Sequence, residues 1–539
     1  MANGLEIPLG KRTRKYRFFE ILPGVLSYGM IILLVVLSIV NPVLGAIYLL
    51  IIITSTLVKA VGVAYRTVQG YGIVKKAERV DWHERLADLA KPHASYERLH
   101  GRASKSFGFY QHIENLRLLA AGEIEHPEPK EIYHAVIMVA YNEGLETLVP
   151  SVEAVRDTGF PNERIIFVLG YEERGGPEME ANAKALQEQF KGVFKEFLLV
   201  KHPDDLPDEI KGKGPNLTYA GKHVAKWIEK QKIDKSKVIV TSLDSDNRMS
   251  KHYLDYVAYE FIVHPDRQRL SYQPVSLFMN NIWDAPAPMR IIAVSNSFFN
   301  VISSMRPHTL RNFESHSQPL LALENMDFWS KRTIVEDGHQ YWRSLFYFHG
   351  KYDVLSIHVP IYQDAVIEET LGKTLKAQFV QLRRWDYGAS DVAYVGSRLF
   401  SKHCVVPFWT LFPKLVRLLD GHVTLAAMSP IVAFGGWVPR LMNFQSRDLL
   451  TYNLPNTVSV IQFFASIGLM ITILLSLRML PPRPAKYRKK KSVMMVLQWV
   501  LMPVVAIVYQ SFCAFYSQTR LMLGLYMEKF DVTRKVVKK

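Results

Sequence analysis

Two carboxylates stand one residue apart at the end of an apolar run, in Val238-Ile-Val-Thr-Ser-Leu-Asp-Ser-Asp-Asn247. The run is rich in β-branched residues and reads as a buried strand of an α/β sheet. In an extended chain, residues i and i+2 point to the same face. Asp244 and Asp246 are therefore expected side by side at the carboxyl end of a strand, where open α/β sheets bind their ligands. Two hard oxygen donors there suit Mg²⁺ or Mn²⁺, with substrate phosphates completing the coordination. The competing reading is a strand followed by a plain acidic turn.

Other groups along the chain favour chemistry. An apolar strand over 134–140 runs into the turn Tyr141-Asn-Glu143. Thr333-Ile-Val-Glu-Asp337 sets two more carboxylates at the end of a short apolar run. The alternative there is an acidic helix start, which the helix dipole prefers. Gln381-Leu-Arg-Arg-Trp385 falls in a helix expected over 376–387. Helical spacing puts Gln381, Arg384 and Trp385 at i, i+3 and i+4, hence on one face. The alternative is an amphipathic helix that packs its Trp into the core. His339 and Trp342, close to Asp337, read as packing residues.

These residues need a sheet to hold them. From residue 131 the pattern alternates: strands over 134–140, 164–169, 196–201 and 238–244, with helices over 145–157, 177–190 and 216–231 between them. Such alternation predicts a mainly parallel sheet covered by helices. A further strand is expected over 269–274. An apolar helix over 288–305, with Arg290 at its start, is expected to lie on the membrane surface.

At 539 residues the chain is too long for one ordinary domain. Hydrophobic residues make up 49%, an average over a soluble part and a very apolar part. The net charge of +16 first suggests nucleic acid. Its distribution argues otherwise, because the basic stretches 11–17, 478–491 and 529–539 each flank an apolar run. That is the positive-inside pattern of a membrane protein, reinforced by anionic lipid; no nucleic-acid partner is expected. Cys404 and Cys513 allow at most one disulfide.

Residues 21–40 carry no charge and are long enough to span a bilayer. A signal peptide would be shorter and end in small residues. Here Asn41-Pro42 leads at once into a second apolar run over 44–63, with Lys59 near enough its end to snorkel. Residues 423–438, 458–477 and 493–515 are further span candidates, and 407–419 reads as an amphipathic, interfacial helix with Lys414 and Arg417. Five spans put the basic tail outside, against the charge rule. Either the 407–419 helix also inserts, or 493–515 re-enters around Pro503. The chain thus divides into an N-terminal transmembrane hairpin (1–66), a linker with interfacial helices over 80–90 and 95–121 (67–130), an α/β domain (131–400), and C-terminal membrane helices with a basic tail (401–539).

Taken in order, Val139-Ala-Tyr-Asn-Glu143, Asp244-Ser-Asp246, Glu336-Asp337 and Gln381-Leu-Arg-Arg-Trp385, in one α/β domain between membrane segments, resemble the membrane-embedded processive family 2 glycosyltransferases. That family includes cellulose, chitin and hyaluronan synthases. The resemblance covers about residues 131–398 by motif, plus the membrane layout. It implies a Rossmann-like GT-A fold, a nucleotide-diphosphate sugar donor, a divalent cation (Mg²⁺ or Mn²⁺) and inverting hexosyl transfer. The acceptor it implies is a growing polysaccharide at the cytoplasmic face of the plasma or inner membrane, exported through the membrane helices.

By matching motif, Asp246 looks like the metal ligand and Asp244 like its partner on nucleotide and sugar. Asp337 looks like the general base. Gln381, Arg384 and Trp385, with Glu336, look like the element beside acceptor and diphosphate. Ala140, Tyr141 and Glu143 look like part of the nucleotide pocket, and Lys213 like a further contact there; its alternative is a solvated loop lysine. The chemistry asks for these types. Inversion needs a base within hydrogen-bond reach of the acceptor oxygen, and the leaving diphosphate needs its charge met by metal and arginine. An indole can stack on a sugar and align it. One departure stands out. The family usually places an Asp after its second strand to read the base, whereas Leu169-Gly-Tyr-Glu-Glu-Arg174 stands there, with Glu172 or Glu173 as substitute.

Two other functions remain open. One keeps the enzyme but moves a single sugar to a polyprenyl phosphate or glycolipid. The other is a transporter or channel with a cytoplasmic regulatory domain, which the near absence of charge inside the spans opposes.

Overall fold

The apolar runs of the middle of the chain assemble one eight-stranded sheet among the described residues. The computed structural model describes residues 4–444 and 448–528; the basic tail over 529–539 lies outside them. The strands are β1 Tyr133–Ala140, β2 Ile165–Glu172, β3 Glu196–His202, β4 Val238–Asp244, β5 Arg248–Met249, β6 Leu270–Leu277, β7 His316–Pro319 and β8 Asp353–Tyr362, in the order β3-β2-β1-β4-β7-β6-β8-β5.

The first half is parallel, as the strand–helix alternation requires: β3, β2, β1 and β4 run the same way. The second half keeps the sheet mainly parallel, with β6 and β8 running the same way as β4 and only the short β7 and β5 opposed. β7 pairs antiparallel with both β4 and β6, and β5 pairs antiparallel with β8, while β6 and β8 are parallel. β5 and β7 are short and polar. Each runs against the strands it pairs with, as chain returning along the sheet does. The β6–β8 register shifts between Pro274 and Val275, where proline has no N–H for the ladder. The second strand also runs further than its apolar residues suggest, to Glu172.

Register places the site. Val139 lies opposite Asp244 across β1 and β4, and Ala140 opposite Tyr171 across β1 and β2. The turns after β1 and β4 therefore open at the same edge. The Lys213–Lys230 helix packs over β1 and β2, and its start comes very close to the segment before residue 336. A Cβ on Gly214 would sit 2.3 Å from the Ser330 carbonyl oxygen, so only glycine fits.

The helices of the linker pack onto the sheet domain. Trp82–Asp88 and Phe109–Ala120 bury Trp82, Leu86, Leu116 and Leu119 in the same core as the sheet, and Trp82 stacks on Tyr256 at 3.4 Å between ring centroids. The apolar Ala287–Ser304 helix packs against β6 and against the apolar Pro42–Ala77 helix. It is buried on most of its faces, and its Arg290 donates to the carbonyl of Ala285 and to Gln498.

Among the described residues, five helices are long and apolar enough to cross a membrane: Arg14–Val40, Pro42–Ala77, Phe408–Met442, Leu449–Met479 and Lys489–Leu523. Only 11% of the apolar window of Leu449–Met479 is buried, so its outward face is fit for lipid. The stretch 407–419 is not a separate interfacial helix. It is the start of Phe408–Phe434, and Lys414 reaches the Tyr341 hydroxyl at 2.8 Å. Charges interrupt the apolar pattern there without breaking the backbone. Nor does the chain re-enter at Pro503: Lys489–Leu523 stays helical through it, with a π-turn at Ala506–Ser511.

The start of the chain is docked onto the domain. Leu5 and Ile7 are buried, the Leu5 carbonyl accepts from Tyr394, and Glu6 pairs with the fully buried Arg343 at 3.1 Å.

Candidate active site

A cavity of about 360 Å³ opens at the carboxyl ends of β1 and β4. Ala140, Tyr141, Glu143, Glu172, Lys213, Asp244, Asp246, Glu336, Asp337, Gln381, Arg384 and Trp385 all line it. Residues more than two hundred positions apart in sequence are thus brought to one space.

Asp244 ends β4, but Asp246 does not continue the strand. It lies in the turn that follows, where the Asn247 amide donates to the Asp244 carbonyl at 3.0 Å. The i, i+2 geometry of an extended chain is therefore not what sets the two carboxylates. Asp246 Oδ2 accepts from the Asp364 amide at 3.2 Å. Asp244 Oδ1 meets the Lys213 ammonium at 2.5 Å, and the same ammonium lies 3.5 Å from Glu336 Oε1. Lys213 is not a solvated loop residue. It opens a helix, and although burial pulls its pKa down, Asp244, Glu336 and Asp337 outweigh that and hold it above the ordinary lysine value.

Glu336 and Asp337 form the first turn of the Glu336–Tyr347 helix. The acidic pair sits where the dipole prefers it and also lines the cavity, so the two readings of this pair are compatible. Asp337 Oδ1 accepts from the Gly338 amide at 2.7 Å and Oδ2 from the Glu314 amide at 2.6 Å. Glu336 is buried, and its Oε2 has no hydrogen-bond partner. Burial pushes its pKa up to about 7, with Lys213 opposing and Asp337 adding to the rise.

Glu143 lines the cavity but turns its carboxylate back on the chain. It accepts from the amides of Tyr141 at 2.7 Å and Asn142 at 3.1 Å, and from Ser245 Oγ at 3.2 Å. It shapes the turn after β1 and pins the residue between Asp244 and Asp246. Glu172 closes β2 and pairs with Arg174, whose guanidinium lies 4.3 Å over the Tyr141 ring. Glu173 points elsewhere, 3.4 Å from Lys201. On the Leu371–Asp386 helix, Gln381 Oε1 accepts from Gln378 at 3.1 Å, and Trp385, half-buried, lies 6.1 Å from Phe278 between ring centroids. His339 pairs with Asp391 at 2.6 Å and Trp342 is buried, both as packing residues.

No protein-family model matches the chain, and no curated protein matches it. Among solved structures, the chain is similar to the mannosyltransferase PcManGT from Pyrobaculum calidifontis in complex with GDP-Man and Mn²⁺. That likeness has 12% identity over 77% of this chain and 97% of that one, at a TM-score of 0.41. It is also similar to S. aureus TarS 1-349 in complex with UDP-GlcNAc, at 11% identity over 73% of this chain and 92% of that one, with a TM-score of 0.35. Likenesses this loose carry no argument about fold or activity.

Sequence reasoning missed Glu314 and Gln363. Both line the cavity, and Gln363 Nε2 donates to Glu314 Oε2 at 2.7 Å. Glu314 adopts a left-handed backbone, φ 54°, which turns its amide toward Asp337. Burial pushes its carboxyl up to about 7, and the charges of Asp244 and Asp337 add to that. Nothing marks Glu314 in sequence. Gln363-Asp364 could have been found, since it follows the apolar run of β8 as Asp244 ends that of β4.

A divalent cation has a partial seat here. Among the described residues no group of three His, Cys, Asp or Glu side chains is arranged to hold a metal. Asp244 and Asp246 are nevertheless hard oxygen donors on one cavity wall, and they fit a cation whose remaining ligands are substrate phosphates.

Proposed function

We propose that the chain is a membrane-embedded inverting glycosyltransferase of GT-A type. It moves a sugar from a nucleotide-diphosphate donor to a growing polysaccharide at the cytoplasmic face, with the polymer leaving through the membrane helices. The observation that carries this reading is the Lys213 bridge. It joins the end of β4 to the start of the Glu336–Tyr347 helix across one cavity, as a site for donor on one side and acceptor on the other requires.

In this reading Asp337 takes the proton of the acceptor hydroxyl. The acceptor oxygen forms its bond to the anomeric carbon as the bond to the diphosphate breaks, with inversion. Gln381 and Trp385 hold the acceptor sugar in line, and Lys213 and Arg384 face the charge of the departing diphosphate. Tyr141 and Glu172 border the nucleotide, with Ala140 and Glu143 shaping that wall. When bound, Mg²⁺ or Mn²⁺ on Asp246 and Asp244 would neutralise the phosphates. The division into hairpin, linker, catalytic domain and C-terminal membrane helices follows from the same reading.

The test is to incubate purified protein in lipid with a panel of nucleotide sugars and Mg²⁺ or Mn²⁺, then size the product. A polymer is expected. Single-sugar transfer to lipid would remove the polysaccharide acceptor, and no donor turnover at all would remove the enzyme.

A further inference from the structure

The loop between the last two long apolar helices is tied to the floor of the cavity. It begins Pro481-Pro-Arg-Pro484, a stiff stretch, and continues through Lys486 and Tyr487 into the basic run Arg488–Lys491. Lys486 pairs with Asp284 at 2.8 Å, and the Tyr487 hydroxyl donates to the same carboxylate. Trp283 Nε1 donates to the Pro481 carbonyl at 3.0 Å, and its ring stacks on Tyr487.

Trp283 and Asp284 belong to a short segment, 278–285, whose other end holds the cavity. The Asn280 amide donates to the Gln363 carbonyl at 3.1 Å, and Asn280 Nδ2 to the Asp246 carbonyl at 3.3 Å. Asn281 makes a two-way bridge with the backbone of Ala365, at 2.7 and 2.9 Å. Between those anchors sits Asp364, whose amide meets Asp246 Oδ2. A displacement of the loop therefore reaches Asp246 through hydrogen-bonded backbone, with packed residues such as Phe278, Ile282 and Trp283 preventing slack.

The outer side of the loop has a different character. Arg483, Lys486, Arg488, Lys489 and Lys490 are exposed, and residues 478–491 contain no acidic side chain. The loop connects two helices whose outward faces are apolar, so its cations lie where headgroups would be.

We propose that this loop is a receptor surface for the anionic phosphate headgroups of a bilayer, and that the Asp284 clasp passes their binding on to Asp246 and Asp364. Headgroups fix Arg483 and the 488–490 run, which steadies the Lys486–Tyr487 grip on Asp284 and, through it, segment 278–285. The inference does not rest on the function proposed above.

The experiment uses the full chain in lipid nanodiscs of phosphatidylcholine, with and without phosphatidylglycerol, and follows amide hydrogen exchange, which needs no donor. Exchange over 278–285 should be several-fold slower in the anionic discs, and the difference should shrink as salt rises. Replacing the outer cations together (Arg483→Gln, Arg488→Gln, Lys489→Gln, Lys490→Gln) should abolish the difference while leaving thermal unfolding in neutral discs unchanged. Asp284→Asn should keep the slowing within the loop and lose it over 278–285.

Equal exchange in both discs would overturn the lipid surface. Slowing in neutral discs on adding soluble glycerol phosphate alone would make it a free-anion site instead. Slowing over 278–285 that survives in Asp284→Asn would remove the clasp. Lipid-dependent exchange in a protein that turns over no nucleotide sugar would leave this inference standing and remove the proposed function.

Discussion

At the end of β4, Asp244 meets the Lys213 ammonium and Asp246 accepts from the Asp364 backbone amide. At the start of the Glu336–Tyr347 helix, Asp337 meets two backbone amides, and Glu336 is buried with one oxygen lacking a hydrogen-bond partner. Asp244 is compensated by a side chain on a flexible stem, which can move aside when phosphates and a cation arrive. Asp337 is fixed by main-chain amides that cannot rotate away. One station is built for exchange and the other for aim. That difference suits the roles proposed above, a pair that binds and releases a charged donor opposite a base held within reach of one hydroxyl.

The sharpest break of this comparison is Asp246→Asn. It should lose metal-dependent donor binding, and transfer with it, in isothermal titration with donor and Mn²⁺ beside a radiolabelled transfer assay. Retained donor affinity would take the β4 station out of donor binding. Asp337→Asn should leave donor affinity within a few-fold and cut transfer by about 10²–10⁴, the usual contribution of a positioned base. If it loses donor as fully as Asp246→Asn does, the two stations do the same job and the base lies elsewhere.

Trp385→Ala should lower transfer roughly tenfold with donor binding intact, as loss of one aromatic contact worth about 1.5 kcal/mol would. A variant that loses thermal stability but transfers at the wild-type rate would make Trp385 a packing residue beside Phe278. The smallest effect concerns pH. The Glu336 carboxyl moves from 4.5 to about 7 on folding, so between those values the folded protein keeps a proton the unfolded chain gives up. The stability this group adds is full below pH 4.5 and is lost as pH rises through about 7. Glu336→Gln should therefore show a shallower fall in Tm over that window than the wild type. Parallel curves would mean that Lys213 keeps Glu336 charged.

The parallel half of the sheet was legible because β1, β2 and β4 are unbroken apolar runs, rich in β-branched residues, that end in polar turns. Of the other strands, only β6 was. β7 is His316-Ser-Gln-Pro319 and β5 is Arg248-Met249, with no apolar period to read, and they owe their place to neighbours rather than to propensity. The cavity-lining residues with motif company came into view together. Glu314 did not, because its contribution is a backbone amide turned by a left-handed φ, which no side-chain pattern announces. Lys414, Arg417 and Asp420 interrupt the apolar face of the Phe408–Phe434 helix, so its sequence pattern divides in two. Those charges change which side of the helix meets protein, not whether it is a helix.

The docking of Leu5, Glu6 and Ile7 has a consequence for the order of synthesis. Their receptors, Ser330, Arg343 and Tyr394, leave the ribosome more than three hundred residues later. Until then Glu6 lacks its native partner, and Arg343 buried before Glu6 docks lacks its counter-charge, a costly state. The Arg14–Val40 helix follows directly, so the waiting segment stays tethered beside the domain as it grows, at high local concentration. The earliest-made residues of the described chain are thus among the last to be seated, and they lock the back of the helix whose first turn carries Asp337.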